Sequence, residues 1–402
     1  MQGTILLGRL VFPACLIASA FASDESRVVP VPARVRAEFK LSPFYTKFLD
    51  AGGLPIVASG KVSDFALLEA HYIVEAMIGD RPDVLAAIAR NNVRLAVMAP
   101  DQMTTDLPEH SDLTPKDYWD KRARGLGATE ARPAVSCAEE NLLSYPGNPY
   151  PAENILVHEF AHTIHERGMN TVDPTFDGRL RAAYDAAKRA GLWKNTYAGS
   201  NYREYWAVGS QCWFDCSRTN DSDHNGIGTR AEIKTYDPRL AALLAEVFGD
   251  RDWRYVSPAK RSPPSPHLAG FDVSKAPTFT WPARLLSPEE RASQVALAEI
   301  PAGGGALPAL APNSRPSWRS AGGGPATKIT FQNATASTVQ VDWMDYEGRA
   351  KTYYTLRPGQ HAETATYAGH VWRAKDEHGA VLSYFIAGRQ SGTAVVNVAG
   401  GP

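Results

Sequence analysis

The spacing of apolar residues changes repeatedly between positions 38 and 134. Residues 54–58 form a short apolar run and residues 93–99 alternate weakly, so both segments predict strands. Residues 66–77 instead carry apolar side chains three and four positions apart, which is the spacing of one helix face. This part of the chain therefore predicts a lobe of mixed strands and helices.

The pattern changes again towards the C terminus. Residues 284–326 are rich in proline and glycine, cannot bury a core, and predict a linker. Beyond this segment, residues 328–331, 338–343 and 370–373 are strand-like runs separated by glycine-containing turns. Residues 327–402 therefore predict a small antiparallel β-sandwich.

The first 22 residues have the three parts of a secretory signal peptide. Arg9 ends a short N-terminal region, residues 10–18 are apolar, and residues 20–22 read Ala-Phe-Ala, a cleavage-site pattern. The apolar stretch is too short for a transmembrane helix. We therefore expect a secreted protein without stable membrane insertion, or a periplasmic one in a Gram-negative bacterium. The mature first domain would cover residues 23–283.

Length and charge narrow the classes of function. The chain has 402 residues, enough for two or three domains. Its 42 Lys and Arg residues nearly balance 43 Asp and Glu residues, and no long basic tract occurs. Nucleic-acid binding therefore gains no electrostatic support. Export would leave Cys137, Cys212 and Cys216, which allow one disulfide, and the sequence does not choose the pair.

Residues 158–162 read His-Glu-Phe-Ala-His, a match to H-E-x-x-H. Residues four apart share a helix face, so His158 and His162 can reach one zinc ion, with Glu159 beside it as a general base. Pro151 suits the first helical position and Gly168 suits a position just past the end, which predicts a helix between them. The alternative is an ordinary core helix with two hydrogen-bonded histidines.

A second segment supplies a carboxylate. A catalytic zinc site takes three protein ligands and keeps one position for water, and Glu204 is the candidate third ligand. Small Ala207, one turn further, would let the two helices pack closely. The alternative for Glu204 is a capping interaction, because Asn201 stands three residues before it. Beside the first motif we favour the ligand.

The joint pattern, HEFAH followed by Y-A-x-x-N-x-x-E-x-x-A, resembles the zinc-peptidase domain of anthrax lethal factor and its relatives, which include the Pro-Pro endopeptidases. The resemblance covers roughly residues 135–255. It implies one zinc ion per chain, held by His158, His162 and Glu204. It also implies Glu159 as general base and Tyr197 as the residue that stabilises the oxyanion or protonates the leaving group.

The resemblance implies a zincin-like α+β catalytic domain, in which an edge strand pairs with an extended peptide substrate. The sequence does not identify that strand. His165 shares the zinc-facing side of the predicted helix, but the metzincin pattern needs glycine at this position. We therefore interpret His165 as a second-shell or surface histidine.

Residues 221–232 match the twelve-residue calcium loop D-x-D-x-[DN]-G-x5-E. The alternative is a polar turn that caps a helix predicted over residues 231–247. In the calcium interpretation, oxygen ligands come from Asp221, Asp223, Asn225, Thr229 and Glu232, with the carbonyl of Ile227.

The C-terminal segment resembles the β-domain of the von Hippel-Lindau tumour suppressor, through the runs at residues 343–348, 353–359 and 366–372. In that family a pocket binds a hydroxyproline side chain, and four of its five pocket residue types recur here unchanged, with threonine in place of serine. The resemblance implies a pocket built from Trp343, Tyr353, Thr366, His370 and Trp372. The alternative is that these aromatic residues form the core of the sandwich.

Together these patterns predict a secreted zinc-dependent endopeptidase that acts on extracellular proteins. Its C-terminal module would bind proline- or hydroxyproline-containing protein or peptide substrates. The alternative is a catalytically inert zincin-fold protein that serves in binding or adhesion. All five positions that the zinc chemistry requires are filled in this sequence, which favours the enzyme. Hydrolysis of a non-peptide bond stays open.

Overall fold

The computed structural model describes residues 27–288, 305–314, 317–321 and 324–397. The predicted signal peptide lies outside these residues, as does part of the predicted linker. The described residues form two large hydrophobic cores, one built from residues 49–268 and one from residues 307–396. In the described part of the chain, no helix combines the length and the apolarity needed to cross a membrane.

A six-stranded mixed sheet forms the centre of the first region. Its order is β1-β2-β3-β4-β6-β5; β3, β4 and β6 run parallel, and β5 pairs antiparallel with β6 at one edge. All five residues of each parallel strand are buried, which explains why their apolar runs are nearly continuous. The strands are β1 (Val29–Pro30), β2 (Lys47–Ala51), β3 (Leu54–Ala58), β4 (Arg94–Met98), β5 (Gly125–Leu126) and β6 (Ala134–Ala138).

Helices pack around this sheet and supply most of the remaining core. The two predicted strands and the predicted helix at residues 66–77 are confirmed with small changes in their ends. The helices are α1 (Ala33–Glu38), α2 (Asp64–Ile78), α3 (Pro82–Arg90), α4 (Lys116–Arg122), α5 (Glu139–Leu142), α6 (Ile155–Thr163), α7 (Asn170–Val172), α8 (Phe176–Arg189), α9 (Tyr202–Trp213), α10 (Arg230–Tyr236) and α11 (Pro238–Phe248).

Helix α6 differs from its prediction at both ends. It begins after Asn154, whose side chain accepts a hydrogen bond from the backbone of Val157, and not at Pro151. It also runs past Gly168, through a π-helical segment (Ile164–Met169) into α7. A Cβ on Gly168 would lie 2.7 Å from Val84 Cγ1. Gly168 therefore allows close packing against α3 and does not end the helix.

The C-terminal region is a sandwich of two four-stranded sheets that share one core. The first sheet is antiparallel throughout, with order β10-β9-β12-β13. The second, with order β11-β8-β14-β7, departs from the prediction because β14 runs parallel to both neighbours. The strands are β7 (Gly305–Ala306), β8 (Ala326–Asn333), β9 (Val339–Met344), β10 (Ala350–Leu356), β11 (His361–Tyr367), β12 (Val371–Asp376), β13 (Val381–Ile386) and β14 (Gly392–Val396).

The sandwich begins earlier in the chain than the predicted boundary at residue 327. Strand β7 pairs with β14, and Leu307 is buried in the shared core. Trp318 stacks on Tyr384 with ring centroids 4.1 Å apart. Strand β7, Leu307 and Trp318 stand in the segment assigned from composition to a linker. That segment is rich in proline and glycine, and contact with the sandwich buries Leu307 and Trp318.

Candidate metal centre and C-terminal aromatic pocket

Helices α6 and α9 bring the three predicted zinc ligands together. The Nε2 atoms of His158 and His162 lie 3.2 Å apart, and Glu204 Oε2 lies 3.1 and 3.4 Å from them respectively. One ligand atom from each residue lies within 4.8 Å of those of the other two. Among the described residues, no other group of three or more His, Cys, Asp or Glu side chains is placed to hold a metal ion.

Local contacts set the orientation of each side chain. Nδ1 of His158 lies 2.9 Å from Oε1 of Gln211, which can only accept a hydrogen bond, so Nδ1 carries a proton and Nε2 faces the other two residues. The Asn201 side chain accepts hydrogen bonds from the backbone of Arg203 and Glu204 and caps α9. The predicted cap is therefore present, but it uses the backbone of Glu204 and leaves its carboxylate facing the histidines.

Charge is concentrated at this site. Burial alone would lower the pKa of His158, but the hydrogen bond to Glu204 and the charges of Glu159 and Glu204 raise it to about 9. Burial opposes ionisation of Glu204, yet its hydrogen bonds to His158 and His162 hold the pKa of this carboxyl well below its usual range. The three groups thus favour an anionic carboxylate next to two nitrogen donors.

Glu159 lies on the side of α6 that faces strand β5. Burial raises the pKa of its carboxyl, and the neighbouring histidines oppose that shift. A Cβ on Gly125 would lie 3.1 Å from Glu159 Cγ, and a Cβ on Gly127 would lie 2.7 Å from His162 Cβ. The edge strand β5 and the residue after it therefore run directly along the face that carries both motif residues.

Tyr197 lies next to His158. Its ring stacks towards that of His158, with centroids 6.1 Å apart. Burial raises the pKa of its hydroxyl, and the charge of Glu204 raises it further, so the phenol keeps its proton at neutral pH. Its backbone amide donates a 2.7 Å hydrogen bond to the carbonyl of Asp223. The segment around Asp223 thereby anchors the tyrosine.

His165 does not lie at the surface, as one of the two sequence interpretations proposed. It is fully buried in the π-helical segment, with Nε2 3.0 Å from Asp177 Oδ1. Burial lowers its pKa to about 4 against the opposing effect of Asp177. Its hydrogen-bond partner is thus a carboxylate of α8 and not a member of the metal triad.

Residues 221–232, the predicted calcium loop, make local hydrogen bonds, and calcium binding by this loop stays a prediction. Glu232 accepts hydrogen bonds from the backbone amides of Gly228 and Thr229 and from the Thr229 hydroxyl, which makes a capping box for α10. Asp221, Asp223 and Glu232 are not brought together as a metal-holding group. The structure supports the alternative, a polar turn that caps a helix. That helix was predicted over residues 231–247, but it is split into α10 and α11 at Pro238, which has no N–H to donate.

The five predicted residues of the C-terminal pocket lie next to one another. Trp343 on β9 stands directly opposite Trp372 on β12. Ring centroids are 5.3 Å apart between Trp343 and His370, and 5.1 Å apart between Tyr353 and Trp372. Trp372 also joins the sandwich core, so the core alternative holds for this residue, whereas Tyr353 is 43% exposed.

The polar groups of the pocket form a short chain of hydrogen bonds. The hydroxyl of Thr366 lies 3.1 Å from His370 Nδ1, and the hydroxyl of Tyr346 lies 3.2 Å from His370 Nε2. Burial lowers the pKa of His370 to about 4, so the ring is neutral at pH 7. Sequence reasoning quoted Tyr346 in a matching run but did not assign it to the pocket. Its position in the turn after β9 carries no spacing signal.

Two buried indole groups add an unmet hydrogen-bonding capacity. The Nε1 atoms of Trp343 and Trp372 are buried and have no hydrogen-bond partner among the described residues. Tyr346 and Tyr367, which are 48% and 52% exposed, flank His370 at the surface. The pocket thus combines exposed aromatic rings, a neutral histidine and donors that lack acceptors.

Comparison with known protein families bears on this second site. Residues 319–381 match the family model described as VHL beta domain. The matched range contains all five predicted pocket residues and Tyr346, and it starts inside the segment that composition assigned to the linker.

Proposed function

We propose that residues 27–288 form a zinc-dependent endopeptidase domain of the zincin type, related to the lethal factor-like peptidases. The observation that supports this most directly is the triangle of His158, His162 and Glu204, with separations of 3.1 to 3.4 Å between donor atoms. Two nitrogens bound to one tetrahedral zinc ion at its usual bond length stand about 3.3 Å apart. The donor set therefore fits zinc in chemistry and in spacing.

The state of the two histidines points the same way. Because Oε1 of Gln211 accepts a hydrogen bond from Nδ1 of His158, Nε2 is the nitrogen that faces His162 and Glu204. Without a metal ion, Glu204 favours a proton on this nitrogen. A zinc ion would take the place of that proton and put its positive charge next to the same carboxylate.

The roles of the other residues follow from their positions. A zinc ion held here supplies Lewis acidity and lowers the pKa of a bound water. Glu159 accepts a proton from the attacking water and passes it to the leaving amine. The Tyr197 hydroxyl, protonated at neutral pH, donates a hydrogen bond to the oxygen of the scissile carbonyl as negative charge develops.

A peptide backbone has a place to lie beside these groups. Strand β5 is the last strand of its sheet and passes over Glu159 and His162. An edge strand can pair with an extended peptide through backbone hydrogen bonds. We therefore assign β5 as the substrate-pairing strand that the sequence left unidentified, and this arrangement favours a peptide over a non-peptide substrate.

We further propose that the C-terminal sandwich binds proline- or hydroxyproline-containing segments of the substrate. The match to the VHL beta domain and the cluster of Trp343, Tyr353, Thr366, His370 and Trp372 support it. Aromatic rings suit the pyrrolidine ring, and Thr366 with His370 suits its hydroxyl. Tethering the two domains raises the local substrate concentration. We propose extracellular proteins as substrates and export through residues 1–22.

One set of measurements tests the enzyme. The full chain, purified without chelator, should contain about one zinc per molecule and cleave members of a proline-containing peptide library. Chelation should abolish cleavage, and added zinc should restore it. Zinc binding without any cleavage would favour the inert binding protein, and absence of zinc would refute the metal site itself.

A further inference from the structure

The polar loop of residues 218–224 makes contacts on both sides that the calcium motif does not explain. Arg218 lies with Nε 2.7 Å from Glu153 Oε1 and with one terminal nitrogen 3.4 Å from Asp221 Oδ2. Asp221 Oδ1 in turn accepts hydrogen bonds from the backbone amides of Asp223 and His224. The acidic residue at the start of the motif is therefore committed to holding the loop closed on itself and on Arg218.

One end of this loop holds Tyr197. The carbonyl of Asp223 accepts the backbone hydrogen bond of Tyr197 at 2.7 Å, directly beside the residues that Asp221 fixes. The position of the tyrosine backbone is thus set by the loop. A shift of the loop would move the phenol relative to His158, on which it stacks.

The other end of the loop is linked to His158 through the side chains of Glu153 and Gln211. Glu153, which forms the ion pair with Arg218, also accepts a 3.0 Å hydrogen bond from Nε2 of Gln211. Gln211 is fully buried and donates as well to the carbonyl of Asn154, the residue that caps α6. Its remaining amide atom, Oε1, faces His158 Nδ1. The amide is therefore held so that its oxygen meets the imidazole N–H.

We propose that the loop of residues 218–224 is a positioning device that couples His158 to Tyr197. The coupling runs through Gln211, Glu153 and Arg218 on one side and through Asp221 and the Asp223 carbonyl on the other. Gln211 and Arg218 are its positioning residues, and neither belongs to the metal-holding group. This inference rests on the proposed zinc peptidase function.

The first test measures zinc, not activity. Gln211→Met keeps the side-chain volume but removes the acceptor for His158 Nδ1, so competition with a chromophoric chelator should show zinc affinity about 10 to 100-fold weaker. Gln102→Met is the matched control, because Gln102 is also buried and its Oε1 accepts hydrogen bonds from Ala99 and Ser59. Full zinc affinity in Gln211→Met would overturn the proposal.

The second test measures coupling. Tyr197→Phe should cost about 10²-fold in kcat in the wild-type background, the scale of one oxyanion donor. In an Arg218→Met background the same change should cost about tenfold or less, because the phenol is already misplaced. KM should change little. The substrate is the library peptide that the wild type cleaves fastest.

Arg179→Met controls for loss of a partly exposed arginine ion pair elsewhere. Arg179 also contacts two acidic side chains, and its side chain is 39% exposed, against 34% for Arg218. Tyr197→Phe should keep its full cost in that background. If the losses in kcat caused by Arg218→Met and by Tyr197→Phe simply multiply in the double variant, the loop does not couple the two residues and is only a structural element. If the wild type bound no zinc, the proposed function would fail, and this inference with it.

Discussion

The hydroxyl of Tyr346 lies 3.2 Å from Nε2 of His370, while Nδ1 of the same ring lies 3.1 Å from the hydroxyl of Thr366. Because burial lowers the pKa of His370 to about 4, the ring at pH 7 carries a single N–H. Tyr346 therefore helps to decide which nitrogen carries it. That choice determines whether the pocket offers a donor or an acceptor next to Thr366.

This relationship predicts the behaviour of Tyr346→Phe. The preference for a 4-hydroxyproline peptide over its proline counterpart should fall by about three- to tenfold, the value of one hydrogen bond. Binding of the proline peptide should change little. Paired titrations of the full chain, carrying Glu159→Gln to prevent cleavage, measure both affinities.

Tyr354→Phe is the control for that experiment, because the Tyr354 hydroxyl bonds the carbonyl of Glu363 and not His370. It should leave the preference unchanged. An unchanged preference in Tyr346→Phe would remove Tyr346 from the recognition mechanism. Equal binding of both peptides by the wild type would refute hydroxyproline recognition altogether.

Glu159 and Glu204 should separate chemistry from metal binding. Glu159→Gln keeps the size of the side chain but loses the base, so zinc should stay bound while kcat falls by about 10² to 10⁴-fold. Glu204→Ala should weaken zinc itself, because it removes one of three ligands. Elemental analysis and peptide cleavage distinguish the two outcomes.

Glu166→Gln provides the comparison for these two changes. Glu166 lies on the helical continuation of α6, and its carboxylate pairs with Arg203 outside the triad. It should keep both zinc and activity. Retention of full zinc by Glu204→Ala would instead make His165 the suspected third ligand, despite its contact with Asp177.

The sequence predicted that His158 and His162 lie side by side because a single geometric rule sufficed. The four-residue spacing of His158 and His162 places them on one helix face wherever the helix begins, so the error at Pro151 did not matter. Tyr346 and strand β7 were missed because they depend on tertiary contacts. Tyr346 contacts the ring of His370, and β7 pairs with the edge of β14. Neither contact leaves a pattern in the local sequence.

The same reason explains why the packing of Gly168 and the contacts of the calcium motif were not predicted. Glycine is common just past the end of a helix. Here Gly168 instead lets the helical continuation of α6 approach Val84, and only the packed structure reveals this. Residues 221–232 have the right oxygen-bearing side chains for calcium. The backbone amides of Gly228 and Thr229 lie where the Glu232 carboxylate accepts their hydrogen bonds at the N terminus of α10, and the motif alone does not encode that contact.

Acid should destabilise the protein through His110. This side chain is buried next to Ser136, and burial lowers its pKa to about 4. As the pH falls from about 6.5 to about 4, the unfolded chain binds this proton and the folded protein does not, so stability is lost in that window. The loss attributable to His110 is about 3 kcal/mol.

His110→Gln tests this by removing the titrating group. Urea unfolding at pH 7 and at pH 4.5 should show a smaller difference between the two pH values than in the wild type. Other groups contribute equally to both proteins and cancel. The exposed His361→Gln serves as the control. Equal pH dependence of wild type and His110→Gln would contradict the assignment.

The last prediction concerns the contact between strand β5 and the motif helix. Gly127→Ala would place a Cβ 2.7 Å from His162 Cβ and 3.3 Å from the carbonyl oxygen of Glu159, and neither atom can move without shifting α6. The segment that follows β5 must therefore move away from the metal centre. If an extended substrate pairs with this edge, kcat/KM should fall while zinc stays bound.

Gly178→Ala on α8 is the matched control, because a Cβ there meets no heavy atom within 4 Å. Gly178 lies in the first turn of α8, and this change should raise stability by up to about 1 kcal/mol and leave cleavage unchanged. Zinc content, melting temperature and peptide cleavage should be measured on both variants. Normal cleavage by Gly127→Ala would show that the substrate does not use β5, because the steric conflict with His162 leaves the strand no way to keep its present place.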